Sequence, residues 1–142
     1  MSTTLGAQEI IAAFKEVPAN MRLEVLLEYS QALPELPIRY ADHPELLERV
    51  EECQSPVFLF VELDASNKVN IFLTAPDEAP TTKGFASLLF SSLNDEPAPT
   101  VLGFDESFVD ELGITDLVSP LRIRGLHGML MRIKRQVKEK MN

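Results

Sequence analysis

Apolar residues recur along this chain with a helical period in its first third, as near-continuous runs in the middle, and with a helical period again to the end. Within 7–16, Ile10, Ile11 and Phe14 share one helical face, and Pro18 ends the segment. Asn20 is placed to cap a second helix whose apolar face is Leu23, Leu26, Leu27 and Leu33, with Pro34 as its stop. Two prolines lie within 34–43, and Leu36 before Pro37 favours extended backbone, so an ordered loop is expected there. Pro44 then suits the first position of a helical turn over 44–49.

Residues 57–63 are apolar except for Glu62, the composition of a strand covered on at least one face. Turn chemistry over 64–68 and strand composition over 69–74 make this an antiparallel hairpin. A helix over 82–93 follows, capped by Thr81, with Phe85, Leu88, Leu89 and Leu93 turned inward. Gly84 falls in its first turn at a cost of roughly 1 kcal/mol against alanine, which points to close packing or to a bound partner. A short helix over 106–112 is capped by Asp105 and stopped by Gly113. Ser119-Pro120 opens the last helix, where Leu126, Leu130, Ile133 and Val137 repeat at i, i+4, i+7 and i+11. The expected fold class is therefore α+β, a single domain over 1–142 with helices packed on a small antiparallel sheet of about three strands. The third strand lies in 38–40 or in 49–51.

Composition is globular, with 45% hydrophobic and 25% charged residues in a chain of 142. No basic start leads into an apolar run of signal-peptide length, and no apolar stretch approaches the roughly 18 to 20 residues that cross a bilayer. A cytoplasmic protein with no membrane partner is expected. The net charge of −9 argues against nucleic-acid binding, which needs an excess of Lys and Arg. That charge is unevenly spread. Positions 1–120 carry six basic and 21 acidic residues, a balance of −15, whereas the remainder carries seven basic residues against Glu139 alone, a balance of +6. Such a tail is either a solvated helix whose cations complement its own dipole or a docking surface for an acidic partner, with Arg132 and Arg135 as contact candidates.

The one cysteine, Cys53, sits where a polar run ending in Glu51-Glu52 meets the apolar strand. Without a second cysteine, the chain has no internal disulfide, no C-x-x-C redox pair and no Cys-rich zinc site. Chemistry at Cys53 is one-thiol chemistry: nucleophilic attack, covalent carriage or an intermolecular disulfide. A lone cysteine beside a strand is more often a small buried hydrophobe, and that reading stands beside the reactive one. His127 has no second histidine at ligand spacing, and Glu45, Glu48, Glu51 and Glu52 lack the Asp/Gly-patterned loop that organises calcium, so no metal site is expected. There is no phosphate-binding Gly-rich loop, no G-x-S-x-G and no H-E-x-x-H.

Cys53-Gln54-Ser55 before an apolar strand, Lys83-Gly84 opening the next helix, and Ser119-Pro120-Leu121-Arg122 with Gly125-Leu126 in the last helix resemble the SufE family. The resemblance runs from about residue 8 to residue 137 and includes Leu33-Pro34-Glu35-Leu36. Many members carry Gly where this chain has Glu52, and Ser where it has Leu121 and Ile123. The run Glu52-Cys53-Gln54-Ser55-Pro56 with Ser119-Pro120-Leu121-Arg122 resembles an actinobacterial branch.

The resemblance implies a SufE/NifU-like fold and a non-enzymatic role as sulfur acceptor and activator of a SufS-type cysteine desulfurase. Pyridoxal phosphate would belong to that partner, and this chain would hold no cofactor. Cys53 would attack the partner's persulfide as a thiolate and relay the sulfur to iron–sulfur scaffold proteins of the SufBCD kind. Glu52, Gln54, Ser55, Lys83, Gly84, Arg122 and Gly125 are the supporting candidates. Glu51 and Glu52 disfavour the thiolate if close, so activation is expected from Arg122, Arg124, His127 or the partner. The loop is expected to turn the thiol inward over Phe85, Leu88 and Leu89, and to swing outward on docking. Two other readings remain: an interaction module in which Cys53 is structural, and a small stand-alone thiol enzyme. Monomer and homodimer are both open.

Overall fold

A computed structural model describes residues 3–141. Its first helix, α1 (Leu5–Lys15), is capped by Thr4, whose hydroxyl accepts the Ala7 N–H (3.0 Å) and donates to the Ser92 carbonyl (2.7 Å). The second helix, α2 (Arg22–Ser30), begins after a 3-10 turn over Ala19–Met21, so Asn20 is not its cap. Of its expected apolar face, Leu26 is buried, while Leu23 and Leu27 are 36% and 39% exposed. Leu33 is buried beyond the end of the helix, in the loop before Pro34. The ordered segment that follows contains one helical turn, α3 (Ile38–Ala41). The turn at Pro44 is a short 3-10 piece ending at Leu46.

The sheet has three strands in the order β1 (Glu48–Arg49), β2 (Phe58–Leu63) and β3 (Val69–Thr74), all antiparallel. Of the two candidate positions for the third strand, the one at Arg49 is used, beginning one residue earlier, and 38–40 is helical. Register pairs Leu59 with Leu73 and Val61 with Ile71, so these four side chains share the buried face. On the other face, Tyr40 of α3 packs on Phe60 and Phe72 with ring centroids 5.3 and 4.9 Å apart.

Two-residue β1 leaves the edge of β2 unpaired beyond it. Side chains of the last helix, α7 (Pro120–Lys140), close that edge: Gln136 Oε1 accepts the Val61 N–H (2.8 Å), and Lys140 donates to the Val61 carbonyl. Ser119 caps α7 by accepting the Arg122 N–H (3.3 Å), and Leu126, Leu130, Ile133 and Val137 are fully buried, as their spacing predicts.

Helix α4 (Pro80–Leu93) starts earlier than expected, with Thr81 inside its first turn and no side-chain cap. It packs on α1, α2, β3 and α7 at the centre of one continuous core. Gly84 is there for close packing, because a Cβ would lie 2.6 Å from the Leu26 carbonyl oxygen. Two short helices, α5 (Ala98–Leu102) and α6 (Phe108–Glu111), join α4 to α7. The first was not evident in the sequence. In the second, Asp105 lies two residues outside the cap position and accepts the Ser107 N–H (2.9 Å). Among the described residues no helix is long and apolar enough to cross a membrane.

Candidate functional site

The loop between β1 and β2 carries Cys53. At its base the Val50 N–H donates to the Val57 carbonyl (2.9 Å), and both valines are fully buried. At its tip the Cys53 N–H donates to the Val50 carbonyl (3.1 Å), forming a tight turn that leaves Cys53 only 7% exposed. The sulfur rests on α7, where a Cβ added at Gly125 would stand 2.9 Å from Sγ. One turn further, a Cβ at Gly128 would stand 2.6 Å from Glu52 Oε1 and 2.8 Å from Glu52 Cβ. A glycine inside a helix costs roughly 1 kcal/mol against alanine. The pair at i and i+3 opens a groove on one face of α7, and residues 52 and 53 lie in it.

Glu52 is held in that groove by Arg132. The guanidinium reaches both carboxylate oxygens, Nε to Oε1 at 3.0 Å and Nη2 to Oε2 at 3.2 Å, while its Nη1 donates to Glu48 Oε2 at 2.6 Å. Glu48 also accepts from Gln136 (2.8 Å) and from Arg135. The Arg132 hydrogen bonds hold the Glu52 carboxyl below the usual carboxylate range. Burial opposes ionisation of Glu48, and its bonds to Gln136, Arg132 and Arg135 together outweigh that and lower its pKa. Neither carboxylate is free to bind metal, and among the described residues no three His, Cys, Asp or Glu side chains converge on one point.

Burial, and then the charge on Glu52, push the Cys53 thiol up to about 11, while Arg132 and Arg49 pull the other way. The thiol in this state is a protonated, shielded group and a poor nucleophile. Arg132 and Arg49 are the cations that lower its pKa, and Arg122 lines the cavity beside it. The thiol stands against α7 at Gly125, with Thr82 from the first turn of α4 lining the cavity beside it, and belongs to the same buried cluster as Phe85, Leu88 and Leu89.

A cavity of about 40 Å³ adjoins the thiol, lined by Cys53, Gln54, Ser55, Thr82, Leu121, Arg122 and Gly125. Its size suits one or two small atoms, and its mouth lies beside exposed Arg122. A larger cleft of about 180 Å³, between the 33–37 segment and β3, is lined by no cysteine, histidine or cation.

Of the candidates read from the sequence, the fold gathers Glu52, Cys53, Gln54, Ser55, Arg122, Gly125 and Arg132 at one place. Lys83 lies outside it and pairs with Asp77, and Gly84 serves the α2–α4 contact. Arg132 and Arg135, the docking candidates, are drawn into ion pairs with Glu48, Glu52 and Glu139, whereas exposed Arg122 and Arg124 make no ion pair among the described residues. Gly128 and Thr82 were missed. The signal for Gly128 was present: two glycines at i and i+3 within a strongly patterned helix imply a close approach.

The domain described as "SufE: Fe-S metabolism associated domain" matches residues 8–137. Uncharacterized SufE-like proteins from two strains of Mycobacterium tuberculosis are 46% identical over 131 residues, 92% of this chain and 90% of theirs. The SufE-like protein 1, chloroplastic/mitochondrial, of Arabidopsis thaliana is 29% identical over 130 residues, and the match spans 34% of that longer protein. A solution structure of a hypothetical protein from Thermus thermophilus superimposes with a TM-score of 0.83 at 35% identity, covering 98% of both chains. With its family domain running from α1 to α7 and the cysteine loop seated on the groove of α7, this chain belongs to the SufE family.

Proposed function

We propose that this protein accepts sulfur on Cys53 from a SufS-type cysteine desulfurase, stimulates that enzyme, and relays the sulfur to a SufBCD-type iron–sulfur scaffold. The observation that carries the reading is the placement of the only cysteine: 7% exposed, at the tip of a loop, against the Gly125 backbone and beside a cavity of atomic size.

In the transfer, Cys53 loses its proton and attacks the terminal sulfur of the desulfurase persulfide. A new S–S bond forms at Cys53, the S–S bond to the desulfurase breaks, and the electron pair leaves on the enzyme's own cysteine as a thiolate. The Cys53 proton passes to solvent or to that thiolate, so no oxidant or reductant is consumed. Pyridoxal phosphate acts earlier, in the partner, where the sulfur is removed from L-cysteine.

The closed site suppresses side reactions in the free protein, because burial and Glu52 keep the thiol protonated. Docking must swing the loop outward, and the partner does so only through contacts that favour the open form. Cys53→Ser should keep the fold, since thiol and hydroxyl differ little in volume, and should abolish stimulated sulfide release. Mass spectrometry after incubation with L-cysteine should find a persulfide on Cys53 only when the desulfurase is present. Stimulation by the serine variant would support an interaction module instead, and turnover without a partner would support a stand-alone thiol enzyme.

A further inference from the structure

The loop bearing Cys53 is attached to α7 at two points of unequal strength. Glu48, at its entry, is held by Gln136, Arg132 and Arg135. Glu52, beside the cysteine, takes its side-chain hydrogen bonds from Arg132 only among the described residues, with Arg124 a more distant attraction. Releasing Glu52 therefore frees the tip while the entry stays anchored, and Arg132 retains Glu48 and is not left as an unpaired, partly buried cation. The base of the loop has its own closure in the Val50–Val57 hydrogen bond, a natural limit to the motion. The ion pair is part-exposed, with 22% of the Arg132 and 32% of the Glu52 side chain open to solvent. Because both groups keep contact with solvent, a competing contact can replace the pair without leaving either charge in a dry interior.

We propose that Glu52 and Arg132 form a latch that holds the Cys53 loop closed in the Gly125–Gly128 groove, with Arg132 as a positioning residue for the sulfur acceptor. The inference rests on Cys53 being the working thiol, and it adds what keeps that thiol shut away. A docking partner opens the site by taking one member of the pair. Gly128 is part of the device, because any side chain there would lift Glu52 off the helix.

The latch and a simple charge effect predict opposite results for one substitution. Arg132 favours the thiolate electrostatically, so its loss would slow alkylation of Cys53 if charge alone mattered. If it holds the loop shut, its loss speeds alkylation. The experiment is iodoacetamide labelling of the native free protein at pH 8, followed by mass spectrometry, for wild type, Arg132→Gln, Glu52→Gln and Gly128→Ala. No desulfurase is present, so the outcome is independent of whether sulfur transfer occurs. Glu52→Gln should label about three to five times faster, the factor expected for a part-exposed ion pair, and Arg132→Gln should also exceed wild type. Gly128→Ala changes no charge and adds a residue that favours the helix, so it remains informative if Arg132→Gln does not fold. It too should label about three to five times faster. Slower or unchanged labelling of folded Arg132→Gln, or unchanged labelling of Gly128→Ala, would overturn the latch.

Discussion

Raising the pH should activate Cys53 and loosen the fold through one and the same proton. Burial with the Glu52 charge moves the Cys53 pKa from 9.0 to about 11. At pH 7.5 roughly one unfolded thiol in 30 is ionised, against about one native thiol in 3,000, so ionisation alone slows native alkylation by about 100-fold. Stability carries the same displacement. Below about pH 9 both states are protonated and this group contributes no slope. Between about 9 and 11 the unfolded chain loses the proton while the folded chain keeps it, so stability falls as pH rises, by about 1.4 kcal/mol per unit and about 3 kcal/mol across the window. Two measurements check this. Alkylation rates of native and urea-unfolded protein are compared from pH 7 to 11, and urea midpoints are recorded over the same range for wild type and Cys53→Ser. Tyr29, Tyr40 and Lys140 have displaced pKa values as well, but they are common to both proteins. The difference between wild type and variant therefore isolates Cys53. A native alkylation midpoint near the unshifted 9.0, or a stability difference that stays constant from about pH 8 to 11, would refute the reasoning.

Gly84→Ala should destabilise the protein by up to about 2 kcal/mol in thermal or urea denaturation. The gain in helix propensity is roughly 1 kcal/mol, but the new methyl meets the Leu26 carbonyl at 2.6 Å, a backbone atom that cannot rotate away, and overpacking costs about 1–3 kcal/mol. Arg122→Glu combined with Arg124→Glu should slow association with the desulfurase in a salt-dependent manner while leaving the melting midpoint within a few degrees of wild type, as surface plasmon resonance and calorimetry would record. Reversing Arg132 and Arg135 instead should lower the midpoint, because those two neutralise Glu48 and Glu52 inside the fold.

The sequence alone determined the α+β class, the hairpin of β2 and β3, the start of α7 and the uniqueness of Cys53. Each of these rests on local information: the period of apolar residues, proline and serine at a helix start, turn residues between strands, and the count of one residue type. Local signals failed where a competing local partner was absent or where packing overruled them. Asn20 and Thr81 have the chemistry of caps, yet the backbone entered α2 and α4 elsewhere. Leu23 and Leu27 fit an apolar face, yet α2 turns only part of that face to the core.

Electrostatics at the thiol depended largely on tertiary structure. Glu52 is a sequence neighbour and was visible at once, but Arg132 lies 80 positions away and meets it only because α7 crosses the loop. The basic tail reads either as a solvated helix or as a surface for an acidic partner, and for Arg132 the acidic groups proved to be Glu48 and Glu52 of the same chain. Likewise, Gly125 and Gly128 mark a groove that the helical period reveals, but only the folded chain decided that the groove receives the cysteine. A one-dimensional pattern records which faces are apolar and where backbones approach. It does not record which distant charge will stand opposite, or that the loop is pressed onto α7, and burial with Glu52 raises the Cys53 pKa while Arg132 opposes them.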